Sequence, residues 1–285
     1  MSFLEASVPA KKTEYAVAPK EQPNILSSAE IEKWLFEPND MTANYCCMIY
    51  GADGTGKTGI ALDFLNDADA KAGKKIIVID LDGGNLPLIA KYHKDKINNI
   101  IVKNPLELKI ANGDITTDYK LTLARIKAVV NWVAENYRKH KIKAVVFDGL
   151  STALKFAENQ MRVEKHLTVE GGVNMAYWKI REKLFLDIIS AIKSLPLSKF
   201  FIAHEDFIKR EDDDKFAAVK AKTNAEMHQK IRCIRDDATN VKFKAIIDKS
   251  KFKVGSEGKV IEFCIVDKET EKAKWNTDEI FKALI

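Results

Sequence analysis

The chain has 285 residues, 46% of them hydrophobic, and its 46 basic and 41 acidic side chains leave a formal net charge of only +5. Such a composition supports a large buried core and excludes a low-complexity chain, while the near-cancelling charges require any nucleic-acid surface to be local. No run of about eighteen apolar residues occurs, and the N-terminus MSFLEASVPAKKTEY lacks the basic-then-apolar order of a secretory signal, so a cytoplasmic protein with no membrane association is expected, in the host's cytoplasm if the source is viral.

In chain order, residues 1–26 mix polar and apolar side chains with three prolines and read as an arm. The pattern SSAEIEKWLF predicts a short capped helix, with Ser27 or Ser28 at its start and Glu30 or Glu32 in its first turn. Residues 1–40 thus form an arm and short helix, and 41–285 the core with a C-terminal β segment.

Within the core, apolar strand-like runs alternate with helical patterns, which predicts an α/β fold with a mainly parallel sheet flanked by helices. Tyr45 to Tyr50 is a strand, a glycine-rich loop follows, and Thr58 to Ala70 is a helix. KIIVID over Lys75 to Asp80 is a second strand and Ile100 to Val102 a third. Asp118 to Lys139 carries a helical apolar face of Leu121, Ile126, Val129, Val130 and Val133, and AVVFD over Ala144 to Asp148 is the next strand. Residues 173–194 repeat the helical pattern with Trp178, Leu184, Ile188 and Ile192, and KFFIAH over Lys199 to His204 returns to strand. After Glu205 the charge-dense stretch 209–235 predicts a loop, and runs at 241–247 and 259–266 predict antiparallel strands at the sheet edge. Cys46, Cys47, Cys233 and Cys264 show neither CxxC nor Cys/His spacing, which leaves buried structural thiols as the reading.

The loop carries the chemistry. Gly51, Ala52, Asp53, Gly54, Thr55, Gly56, Lys57 and Thr58 match G-x-x-x-x-G-K-[ST], with Gly59 next in the helix. The glycines let backbone N–H groups curl around phosphate oxygens, the lysine reaches the β and γ phosphates, and the hydroxyl ligates magnesium, so ATP and Mg2+ are the expected cofactors. Asp148 ends an apolar strand, where a carboxylate would support the metal beside Thr58; the alternative is a cap for a helix starting near Ser151. The strand end VID80-LD82-GG84 offers two carboxylates before a sharp turn, one of them a candidate base for water, or else only a turn. His204 ends the strand FFIAH at the same edge, as a phosphate sensor or a structural histidine.

With these pieces in order, the chain resembles the RecA-like P-loop ATPases over about residues 45–255, and among them the small phage-type proteins of single-strand annealing and recombination. The resemblance implies Asp82 as general base, an aspartate where glutamate is usual, and His204 in the place of a polar sensor that is often glutamine. It also implies a homo-oligomer, ring or filament, in which the K-x-K pair Lys249 and Lys251 reaches a neighbour's active site; a solvated lysine face is the competing reading. Phe3-Leu4-Glu5-Ala6 is similar to an F-x-x-A subunit-docking handle. The loop after His204 would bind single-stranded DNA, with Lys209, Arg210, Lys220, Lys222, Lys230, Arg232 and Arg235 on phosphates and Phe207 and Phe216 for stacking. A helicase or packaging motor shares this core, a nucleotide-gated binder would turn over little, and a small-molecule kinase would use the 162–172 segment (RVEKHLTVEGG) as a lid.

Overall fold

The computed structural model describes residues 27–35, 44–111, 113–168, 171–207, 216–217, 227–237 and 241–285. Two compact units are distinguished, Met1–Thr42 and Ala43–Ile285. In the first, helix α1 (Ser28–Leu35) starts as its sequence predicts: Ser27 Oγ accepts from the Glu30 N–H, and the Glu30 carboxylate accepts from the Ser27 N–H at 2.7 Å.

The second unit is built on a nine-stranded sheet. Its strands are β1 (Cys46–Gly51), β2 (Lys75–Asp80), β3 (Ile100–Lys103), β6 (Ile142–Asp148), β7 (Ser198–His204), β10 (Gln229–Asp236), β11 (Val241–Ser250), β12 (Val260–Val266) and β13 (Ala273–Trp275), in the order β13-β12-β11-β10-β1-β7-β6-β2-β3. From β10 to β3 the neighbours are parallel, and from β10 to β13 antiparallel. The mainly parallel sheet flanked by helices, with antiparallel strands at its C-terminal edge, is the arrangement expected from the sequence, and β7 lies between β1 and the Asp148 strand β6.

Period-two alternation sends the strand side chains to two cores. Met48, Ile79, Phe147 and Phe201 face α5 (Tyr119–Asn136), α6 (Leu150–Glu164) and α7 (Met175–Lys193). Ile49, Val78, Val146 and Phe263 face α2 (Lys57–Asp63), α4 (Asn85–Tyr92) and α8 (Asp278–Leu284). All four cysteines are buried and free, as read from their spacing.

The single helix expected over 58–70 is two. After α2 the chain breaks, and Asn66 caps α3 (Asp67–Lys71) by accepting the Asp69 N–H at 2.8 Å, so the side chain competes locally with helix continuation. The loop expected to run to residue 235 ends earlier, because 229–236 is the strand β10 beside β1. Within 205–226, only the backbone pairing of β8 (Asp206–Phe207) with β9 (Phe216–Ala217) is described beyond Glu205. A separate hairpin of β4 (Leu108–Ala111) and β5 (Asp114–Thr117), unforeseen from the sequence, follows β3. Among the described residues no helix is long and apolar enough to cross a membrane.

Candidate active site

Strand register brings the site together. Gly51 of β1 stands beside His204 of β7, and Asp80 of β2 beside Asp148 of β6, which is itself level with Ile202, so four strand ends lie at one edge with the Gly51 and His204 pair two residues further out. In open parallel sheets this carboxyl edge is where ligands bind.

The phosphate loop connects β1 to α2. Gly56 at the helix entrance has φ 79°, a left-handed conformation that glycine adopts at no steric cost and that turns successive N–H groups inward. Lys57 is buried, and its Nζ donates to the Gly51 and Ala52 carbonyls at 3.0 and 2.7 Å, which aims the ammonium across the loop. Burial pulls its pKa below the ordinary lysine range, against the opposing pull of Asp53, Asp148 and Asp82, so an anion in the loop would relieve a desolvated charge. Thr55 Oγ1 braces the turn by donating to the Ala52 carbonyl at 2.8 Å.

Thr58 Oγ1 donates to Asp148 Oδ2 at 2.7 Å, and Asn85 Nδ2 donates to the same oxygen at 3.1 Å. Asp148 is buried, which raises its pKa above the usual carboxylate range despite those two hydrogen bonds and with Asp82 and Asp80 adding to the rise. A desolvated carboxylate beside a hydroxyl is a pair of hard oxygen donors, the set magnesium takes, and a divalent cation there would offset the burial of the charge. The residues present therefore fit a magnesium-bound nucleotide.

The two carboxylates left open in VIDLD separate by function. Asp80 is buried and accepts the Gly83 and Asn85 N–H groups at 2.8 and 3.1 Å, so it builds the turn into α4. Asp82 instead faces the site, accepting from Thr152 Oγ1 at 2.5 Å and lying 3.1 Å from His204 Nε2. His204 Nδ1 lies 2.7 Å from Asp53 Oδ1 of the phosphate loop. The imidazole thus bridges the loop to Asp82, and both contacts are hydrogen bonds only when both ring nitrogens carry hydrogen. An acid in a phosphate loop would repel a polyanion; His204 holds the Asp53 carboxylate to one side.

Sequence reasoning missed Asn85 and Thr152, whose roles depend on contacts across 63 and 70 residues. The only local signal was the polar residue directly after the glycine pair. Lys249 and Lys251 are not brought to the site: Lys249 pairs with Lys230, which stands beside Met48, about 10 Å along β1 from Gly51, and Lys251 lies past the end of β11. Lys209, Arg210, Lys220 and Lys222, like Phe3-Leu4-Glu5-Ala6, fall outside the described residues. Lys230, Arg232 and Arg235 lie on β10 and not in a loop; Lys230 sits over the Tyr50 ring at 4.6 Å, Arg232 pairs with Glu205 at 2.8 Å, and Arg235 pairs with Asp237 at 2.6 Å. Arg162, the arginine of the segment read as a lid, binds Glu158 and the Thr168 and Gly171 carbonyls.

A comparison with curated proteins finds no match. Among solved structures, the crystal structure of the RadB recombinase aligns at 14% identity and a TM-score of 0.47, covering 78% of this chain and 87% of that one. The profile of the AAA domain family matches residues 43–262, the phosphate loop, all the parallel strands, β11 and the start of β12, and the chain therefore belongs to the AAA domain family of P-loop ATPases.

Proposed function

We propose that this ATPase binds single-stranded DNA and supports recombination or annealing as a homo-oligomer. The observation that carries the reading is the position of His204. Its ring touches both the phosphate loop and Asp82, and two residues later its chain enters β8, whose pairing with β9 closes the segment bearing Lys209 and Arg210, with Lys220 and Lys222 following β9 in the sequence. A change at the phosphates that moved His204 would move the base of that segment, which is how hydrolysis would control DNA affinity.

Thr58 and Asp148 would hold magnesium, which when bound neutralises phosphate charge and orients the chain of phosphates. Lys57 binds the β and γ phosphates, and the N–H groups from Ala52 to Thr58 cradle them. Asp82, steered by Thr152 and His204, accepts the proton of the attacking water. An aspartate reaches less far than a glutamate, so slow turnover is expected. Lys249 and Lys251 would act only on a neighbour's site, since their own is too distant.

The test is steady-state ATP hydrolysis with and without a long single-stranded DNA of simple sequence, beside Lys57→Ala. The expected result is strong stimulation by DNA and loss of magnesium-ATP binding and turnover in Lys57→Ala. Full activity in Lys57→Ala refutes the site, and no response to DNA refutes the coupling and favours a nucleotide-gated binder or a kinase.

A further inference from the structure

The phosphate loop has a second flank that the hydrolytic residues leave unused. Asp148 and His204 stand on β6 and β7, on one side of β1. On the other side β10 pairs with β1, with Cys233 level with Gly51, and Arg235 follows two residues beyond.

Arg235 turns back to the loop: a methyl group on Gly54 would lie 3.5 Å from its Nη1. Its guanidinium lies over the Phe243 ring, with Cζ 5.9 Å from the centroid, and its Nε is held by Asp237 Oδ1 at 2.6 Å. Phe243 in turn borders the loop, 3.1 Å from where a methyl on Gly56 would stand. Two contacts, with Phe243 and Asp237, therefore orient the guanidinium beside the loop, and the side chain is still 42% exposed.

A nucleotide seated with its terminal phosphate toward Thr58 and Asp148 has its base at the opposite end, which leaves the loop on the β10 flank. We propose that Arg235, backed by Phe243 and steered by Asp237, is the platform on which the nucleobase stacks. The inference rests on the ATP reading of the site. A guanidinium is planar, weakly hydrated and stacks on π faces, so it suits a flat uncharged heterocycle, and the larger purine surface gains more from it than a pyrimidine. Arg235 then serves the nucleotide and not a DNA phosphate.

The test measures binding of magnesium-ATP, magnesium-ADP and magnesium-tripolyphosphate by calorimetry to the wild type, Arg235→Ala, Arg235→Lys and Lys57→Ala. Arg235→Ala is expected to weaken both nucleotides about tenfold, the scale of one stacking contact, and to leave tripolyphosphate unchanged, which also reports an intact loop. Arg235→Lys keeps the charge but lacks the plane, and should match Arg235→Ala. Rescue by lysine, or an equal loss of tripolyphosphate, would make Arg235 a phosphate ligand and overturn the stacking role. Unchanged nucleotide affinity with weakened single-stranded DNA binding would overturn it in favour of a DNA contact. Lys57→Ala should weaken all three ligands; if it weakens none, the ATP reading itself fails, whereas a Lys57 effect without an Arg235 effect refutes the platform alone.

Discussion

Substituting Gly59 by alanine pits two effects of known size against each other. Gly59 lies inside α2 without a positive φ, so its backbone has no need of glycine, and alanine there would ordinarily stabilise by about 1 kcal/mol. The Trp275 indole occupies the space instead: a methyl on Gly59 would stand 2.1 Å from Cη2 and 2.5 Å from Cζ3. Carbon atoms rest at about 3.5 to 4 Å, so the ring must retreat by more than an ångström. It is boxed in by Phe263, stacked at 6.2 Å, by His93 at 5.0 Å, and by the pairing of its own residue with Cys264 on β12. Overpacking of this kind costs about 1–3 kcal/mol, and so severe an overlap belongs at the upper end, which leaves a net loss of about 2 kcal/mol and a fall in Tm of about 4 °C. The assay is urea or thermal unfolding of Gly59→Ala, Trp275→Leu and the double variant. With the indole removed the sign should reverse, alanine becoming neutral or stabilising by up to about 1 kcal/mol. A gain of stability in Gly59→Ala alone would refute the contact that ties the C-terminal edge of the sheet to the phosphate-loop helix.

Three further outcomes follow from the site and its surroundings. His93 is buried, its Nε2 has no hydrogen-bond partner among the described residues, and burial pushes its pKa down to about 4, with Asp63 opposing and Lys96 adding. The folded value lies below the unfolded one, so its contribution is present above pH about 6.5 and lost as pH falls toward 4, a span worth about 3 kcal/mol; His93→Phe should flatten stability over that range, and an unaltered slope refutes the assignment. Asp148 has a raised folded value, so its relative stabilisation is complete below the unfolded value near 4 and is lost as pH rises through the folded one, which makes the charged group a burden at neutral pH. Asp148→Asn is therefore expected to raise Tm at pH 7 without nucleotide and to abolish the magnesium dependence of ATP binding; a lower Tm with that dependence retained contradicts both. Subunits carrying Lys249→Ala and Lys251→Ala, mixed with Asp82→Ala subunits, should recover part of the ATPase rate, and no recovery at any ratio counts against a shared site.

Much of the molecule was legible in the chain because it is local. The glycine spacing of 51–56, the lysine and hydroxyl that follow, and the apolar runs ending in Asp80, Asp148 and His204 state a phosphate loop, three strand ends and a parallel sheet within windows of a few residues. Period and turn chemistry act over such windows, so composition suffices to read them.

Sequence left open what depends on register between distant strands. That 229–236 is a central strand could not be seen in a charge-dense run whose apolar half, Ile231 and Cys233, alternates with Lys230 and Arg232, because only pairing with β1 decides that this face is buried. The same holds for Asp80 and Asp82, indistinguishable as carboxylates until one caps α4 and the other meets Thr152 and His204. It holds equally for Arg235, read as a loop cation until the sheet set it beside Gly54, and for Lys249 and Lys251, which the antiparallel turn of β11 carries to the far edge. Local sequence supplies the groups that can bind phosphate, and strand pairing sets which of them meet, since a shift of one residue in register reverses the face of every side chain on the strand.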